Sequence, residues 1–151
     1  MNTDVNLNRK KVLLVEDEPL VAKSIKMLLE HDGFSVEWHA EAEPALTSFE
    51  LSPHDLVITD HSLSGMNGVD FAARIKSIAP EKPIILATAH LYQLDDANHP
   101  GNVVDRILNK PFTLVELRSA ILAIMAGLDS ESLQDPRLNQ NFKNENRPEN
   151  L

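Results

Sequence analysis

The stretch Lys11-Val12-Leu13-Leu14-Val15-Glu16-Asp17-Glu18-Pro19 decides how the rest of the chain is read. Its first five residues form a short apolar run, the pattern of a strand buried on both faces. Three acids follow at once. Pro19 then opens a helix, where its missing N–H costs nothing. Val21, Ile25, Leu28 and Leu29 recur at helical spacing, and Gly33 ends the element. A buried strand that runs through acids into a helix is one half of a strand–helix–strand unit.

The same alternation continues outward. Phe34 to Trp38 reads as a second strand and Glu43 to Leu51 as a short helix. Asp55 to Thr59 is a third strand. After the loop Ser64-Gly65-Met66-Asn67-Gly68, the residues Val69, Phe71, Ala72, Ile75 and Ile78 mark a helix. Pro83 to Thr88 is a fourth strand. His90 to Asn98 is a weak, polar and acidic helix ended by His99-Pro100-Gly101. Val103 to Leu108 is a fifth strand. Thr113 caps a last helix, with Glu116 three residues on as in a capping box. Leu114, Leu117, Ile121, Ile124, Met125 and Leu128 share its core face. Strand and helix alternate five times, which calls for an α/β fold with a parallel sheet covered on both sides.

The organisation implies an N-terminal tail at 1–8, a folded domain at 9–128 and a disordered tail at 129–151. In that last segment five Asn fall between Asn139 and Asn150, and Pro136 and Pro148 interrupt any helix. With 151 residues and 42% hydrophobic content, one domain with a real core is expected. There is no Cys, which excludes disulfides, zinc thiolates and thiol nucleophiles. No signal peptide or membrane span is visible, so a cytoplasmic location is expected. The net charge of -9 opposes binding to nucleic-acid backbones.

The chemistry collects where the strands end. The first strand ends in Glu16-Asp17-Glu18, the third in Asp60 and the fourth in Thr88. The fifth is followed by Lys110-Pro111. In a parallel sheet these groups leave at one edge, where ligands bind in doubly wound folds. Packed carboxylates repel, so the cluster must take up a proton or bind a cation. A hard divalent ion suits such oxygens, and Mg2+ works with one or two carboxylates, waters and a phosphate. The set points to phosphoryl transfer. Metal and Lys110 neutralise the transferring group, Thr88 donates a hydrogen bond, and one carboxylate is the nucleophile.

These residues resemble the receiver domains of two-component response regulators. Lys11 to Pro19 is similar to that family's first strand and acidic pair. Asp55-Leu56-Val57-Ile58-Thr59-Asp60 resembles its third strand and phosphoacceptor. Ser64 to Gly68, Pro83 to Ala89 and Lys110-Pro111-Phe112 complete the set. The resemblance implies a flavodoxin-like, doubly wound, five-stranded sheet of strand order 2-1-3-4-5. It implies that Asp60 accepts the phosphoryl group and that Asp17, Asp60 and the Ser62 carbonyl ligate Mg2+, with Glu16 holding a metal-bound water. Thr88, the Ala89 N–H and Lys110 would bind the phosphoryl oxygens. Glu18 stands outside this set, as a solvated acid at the helix start. The implied partners are a histidine kinase or a histidine phosphotransfer protein, and a downstream protein reached by contact.

Three features depart from the family pattern. Ile107 stands where an aromatic switch residue is frequent, paired in function with Thr88. Asn98 to Asn102 replaces a Gly-Ala-Asp turn, and Ser64 replaces a proline. His61 and His90 flank the expected site, either as partly solvated side chains or as groups that affect dephosphorylation or gate access, while His31, His39, His54 and His99 show no metal-ligand spacing. Val115 and Leu122 lie one heptad apart, off the core face of the last helix. They are a candidate partner or homodimer surface together with the His90–Asn98 and fifth-strand side. Two other functions compete with a switch. One is an aspartyl-nucleophile phosphatase, which places a second Asp two residues after the nucleophile, where this chain has Ser62. The other is a receiver-like interaction domain that no longer switches, against which the intact Glu16, Asp17, Asp60, Thr88 and Lys110 argue.

Overall fold

The computed structural model describes residues 10–89 and 103–127. Among these described residues nine elements appear in chain order: β1 (Lys11–Val15), α1 (Pro19–His31), β2 (Ser35–His39), α2 (Ala42–Leu51), β3 (Leu56–Asp60), α3 (Gly68–Ile78), β4 (Ile84–Thr88), β5 (Arg106–Asn109) and α4 (Leu114–Met125). The sheet has the expected order β2-β1-β3-β4-β5, and every pair is parallel. The three central strands are apolar because both of their faces are covered.

Alternation along those strands divides the core in two. Leu13, Val15, Val57, Ile84 and Leu86 point to one face, against Phe49 of α2 and Phe71 and Ile75 of α3. Val12, Leu14, Leu56, Ile58 and Ile85 point to the other, against Ile25 and Leu29 of α1 and Leu117 and Ile121 of α4. Each such side chain, when fully buried, contributes about 1.5–3 kcal/mol of transfer free energy.

The helices begin and end as their sequences direct. Pro19 is the first residue of α1, and exposed Glu18 precedes it without a side-chain cap bond. Gly33 adopts φ 98°, a left-handed turn that returns its N–H to the Glu30 carbonyl and that of Phe34 to Leu29. Asn67 caps α3 by accepting from Asp70 N, and Thr113 caps α4 by accepting from Glu116 N. The Lys110–Pro111 peptide is cis.

Some expectations shift. β5 spans Arg106–Asn109 rather than Val103–Leu108. Val103 to Asp105 instead form the turn into it, because Asp105 bonds Ile84 through its backbone N–H and its carboxylate. Leu114 is 44% exposed, although its spacing assigned it to the core face. It is the first residue of α4 and lies beside the groove at the helix start rather than over the sheet. Val115 and Leu122 are half exposed, as their off-core register requires. The expected helix at His90–Asn98, the Asn98–Asn102 segment, Leu128 and the two tails lie outside the described residues. Among the described residues, no helix is long and apolar enough to cross a membrane.

Candidate functional site

Asp60 is the last residue of β3, and Glu16 and Asp17 directly follow β1. Since β1 and β3 pair in register, with Val15 opposite Thr59, their ends open at the same height. The carboxylates of Glu16, Asp17 and Asp60 converge there, with one oxygen from each within 4.8 Å of the others. Glu16 and Asp60 are buried, at 2% and 7% exposure, while Asp17 is exposed. The acids split into two inner groups and one outer group that faces water.

Lys110, directly after the edge strand β5, answers this charge. Its Nζ lies 3.1 Å from Glu16 Oε2 and 3.2 Å from Asp60 Oδ2. Its backbone N–H donates to the Thr88 carbonyl at 2.7 Å, extending the β4–β5 pairing by one bond. Burial works to lower the Lys110 pKa, but the charges of Asp60 and Glu16 outweigh it and raise it above the ordinary lysine value. The Glu16 carboxyl is pushed up, first by burial and then by the charge of Asp60, with Lys110 opposing. The cluster sets one ammonium against three carboxylates. The donor set is all oxygen, tightly grouped and under-neutralised, which fits a hard divalent cation of the magnesium kind.

Thr88 ends β4, is 1% exposed, and sits opposite Asn109 in the register. Ala89 follows it at the surface, and Ser62 lies two residues beyond β3 in the loop to α3. These residues stand at the same sheet end as the acids. Ile107 lies one strand away, opposite Leu86, packed against the α2–α3 core. His61 follows Asp60 and has a buried Nδ1 without a hydrogen-bond partner in the structure.

Two residues matter more than their sequence context suggested. Gly68 was visible only as a loop glycine. A Cβ there would lie 2.1 Å from the Asp60 carbonyl oxygen and 2.9 Å from the His61 Cα, so only glycine lets α3 start against the end of β3. Its N–H donates to the His61 carbonyl at 2.9 Å. Trp38 gave no functional signal in the sequence, since a tryptophan on a strand reads as packing. Its Nε1 donates to the Glu16 carbonyl at 2.8 Å. Only the β1–β2 register, with Leu14 opposite Trp38, reveals that reach.

A groove of about 560 Å³ adjoins the cluster. Leu20, Val21 and Ile25 of α1 form one wall, and Pro111, Phe112 and Leu114 the other, with Ala89 and Lys110 at its edge.

Comparison with known proteins agrees with this architecture. The response regulator receiver domain family matches residues 12–122. The transcriptional regulatory protein QseB of Escherichia coli O157:H7 is 28% identical over 127 residues, which is 84% of this chain and 58% of that protein. The response regulator ArlR of Staphylococcus haemolyticus is 31% identical over 114 residues, 76% of this chain and 52% of that protein. The chain thus spans a little over half the length of these curated relatives. Among solved structures, the receiver domain of sensor histidine kinase PA1611 of Pseudomonas aeruginosa PAO1 carries a magnesium ion in its active-site cleft. It superimposes with a TM-score of 0.70 at 30% identity, covering 79% of this chain and 98% of that one. The Thermotoga maritima response regulator TrrA, in complex with magnesium and beryllium fluoride, matches with a TM-score of 0.69 at 28% identity, covering 76% of this chain and 98% of that one.

Proposed function

Since the chain belongs to the response regulator receiver domain family, a family of two-component signalling, we propose that it is a phosphorylation-dependent switch with Asp60 as its phosphoacceptor. The observation that carries this reading is the convergence of Glu16, Asp17 and Asp60 with Lys110 at one sheet end.

In this reading a carboxylate oxygen of Asp60 attacks the phosphorus of a phosphohistidine on a kinase or phosphotransfer protein. The new P–O bond forms as the donor's P–N bond breaks. The imidazole leaves with the bonding electron pair and takes up a proton. Asp17, Asp60 and the Ser62 carbonyl are the residues that would hold Mg2+, with Glu16 behind them fixing a bound water. Bound there, the ion supplies charge neutralisation of the acids and of the incoming phosphoryl oxygens. Lys110 turns from its two carboxylates toward the new dianion. Thr88 and the Ala89 N–H donate to its oxygens, and with Ile107 in place of the usual aromatic the displacement of Thr88 is carried by other packing.

Turnover of external phosphate esters does not fit this site. An aspartyl phosphatase needs an acid for the leaving group two residues past the nucleophile, where Ser62 stands.

Intact-mass measurement with a small phosphodonor such as acetyl phosphate tests the reading. The wild type should gain one phosphoryl group only when Mg2+ is present, and Asp60→Asn should gain none. The same adduct on Asp60→Asn would remove Asp60 from the role. Sustained hydrolysis of an aryl phosphate would favour the phosphatase instead.

A further inference from the structure

Glu16 is held through its backbone as well as its carboxylate. Its N–H donates to the carbonyl of His39, the last residue of β2, at 3.1 Å. Its carbonyl accepts from the indole Nε1 of Trp38 at 2.8 Å. The peptide units before and after Glu16 are therefore both pinned by consecutive residues of the edge strand. The second of these units is the one that carries Asp17. A planar peptide moves as one body, so fixing its carbonyl also fixes the direction in which the Asp17 chain departs. Glu16 Oε1 accepts from Glu18 N at 3.2 Å, which tightens the same turn from the helix side.

The His39 bond continues the ordinary β1–β2 ladder. The Trp38 bond does not, because it comes from a side chain on an edge strand and reaches past the end of β1. Trp38 is 38% exposed, so its indole is not held there by full burial. Indole N–H can only donate, and the peptide carbonyl that bears the acidic pair is its acceptor.

We infer that Trp38 is a positioning residue for the Glu16–Asp17 cation site, and that it reports occupancy of that site through its indole. This rests on the proposed role of the acidic cluster in holding a divalent cation. The residue touches neither cation nor phosphoryl group. It sets the geometry of the turn whose carboxylates do. Asp17 and Asp60 are residues that would hold the cation, and its charge would change the field at the indole, whose bond pins the peptide that carries Asp17. Residues outside the ligand shell that orient ligands typically alter metal affinity by about 10-fold or more when removed. Trp38 contributes a single neutral hydrogen bond to backbone, so a smaller effect of about 3- to 10-fold is expected.

Trp38 is the one tryptophan in the chain, so its emission has no competing source. The first arm titrates Mg2+ into the wild-type protein and follows that emission. A saturable change is expected, and it should be absent in Asp17→Asn. The second arm measures the Mg2+ concentration for half-maximal acyl phosphate formation by intact mass. Trp38→Phe, which keeps a ring and loses the donor, should raise it about 3- to 10-fold. Val36→Ala, on the same strand face and without a bond to Glu16, should lower the unfolding midpoint and leave the half-saturation where it was.

A flat emission titration under conditions where Asp60 is phosphorylated would overturn the inference and leave the proposed function standing. So would equal half-saturation in Trp38→Phe and wild type. Absence of any magnesium-dependent phosphorylation in the wild type would overturn the reading beneath it, and the inference with it.

Discussion

The strands β2 and β5 form the two edges of one sheet, and each sends a tie to Glu16. From β2 the tie is neutral and reaches the backbone, through Trp38 Nε1 and the His39 carbonyl. From the end of β5 it is charged and reaches the carboxylate, through Lys110 Nζ. The β2 edge is further stapled on its other face. Glu37 accepts from Ser48 of α2, lies 2.7 Å from His39 Nε2 and 3.7 Å from His54 Nε2. The β5 edge is anchored mainly at its start, where the Asp105 carboxylate accepts from Lys76 Nζ and from Ile84 N, each at 2.8 Å.

The contrast separates holding from responding. A neutral bond to a peptide carbonyl has no competitor when an anion enters the site. An ammonium shared between two carboxylates does, because a third anion can draw it away. On the function proposed above, the β2 edge would keep the acidic pair in place and the β5 edge would carry a change outward from Lys110.

The sharpest way to break this contrast is Lys110→Ala. Glu16 and Asp60 would then face each other without the ammonium. Breaking such a partly buried network should cost about 2–4 kcal/mol in metal-free urea unfolding. Added Mg2+ should recover more stability in this variant than in the wild type. Phosphodonor should also alter its partner binding far less. An unchanged unfolding midpoint, or a full response to phosphodonor, would erase the distinction between the edges.

A smaller effect is expected from Asp105→Ala. It removes one ion pair and leaves the Ile84 N–H without its carboxylate acceptor, a loss of about 1–2 kcal/mol. Because Lys110 lies at the other end of β5, the Mg2+ requirement for phosphorylation should not move. A shift in that requirement would show that the two ends of β5 act as one body.

The smallest effect concerns the β2 side and pH. His54 is buried and stacked on Phe49, with ring centroids 6.1 Å apart. Burial lowers its pKa below 6.5, against an upward pull from Glu37. The folded protein then holds this proton less tightly than the unfolded chain. The His54 contribution is complete above about pH 6.5 and declines as pH falls below it. The Glu37 carboxyl is lowered by the Ser48 and His39 hydrogen bonds, so its own loss begins only below 4.5. On going from about pH 7 to pH 5, His54→Phe should lose less unfolding free energy, relative to its own value at pH 7, than the wild type does. An equal loss in both proteins would remove His54 as its source.

Most of the fold was legible in the sequence because buried parallel strands and amphipathic helices have different periods. The runs at Val12–Val15, Leu56–Ile58 and Ile84–Ala87 have no polar interruption, and these strands are buried in the structure. Legibility failed at β5, whose residues are only partly buried, so that Val103 and Val104 read as strand when they belong to the turn. It failed again at Leu114, where helical spacing assigns a face but not where the sheet beneath the helix ends.

The candidate site divides along the same line. Sequence by itself determined which chemical groups leave the strand ends, since Glu16, Asp17, Asp60, Thr88 and Lys110 follow apolar runs whose direction a parallel sheet fixes. Only the tertiary structure decided their distances and partners. It gave Lys110 two carboxylates to share, put Gly68 where no Cβ fits, and brought Trp38 to the Glu16 carbonyl. The reason is physical. A strand's apolar pattern follows from local chain geometry and solvent, whereas the contact of residues 22 and 94 positions apart depends on register and crossover, which no local pattern encodes.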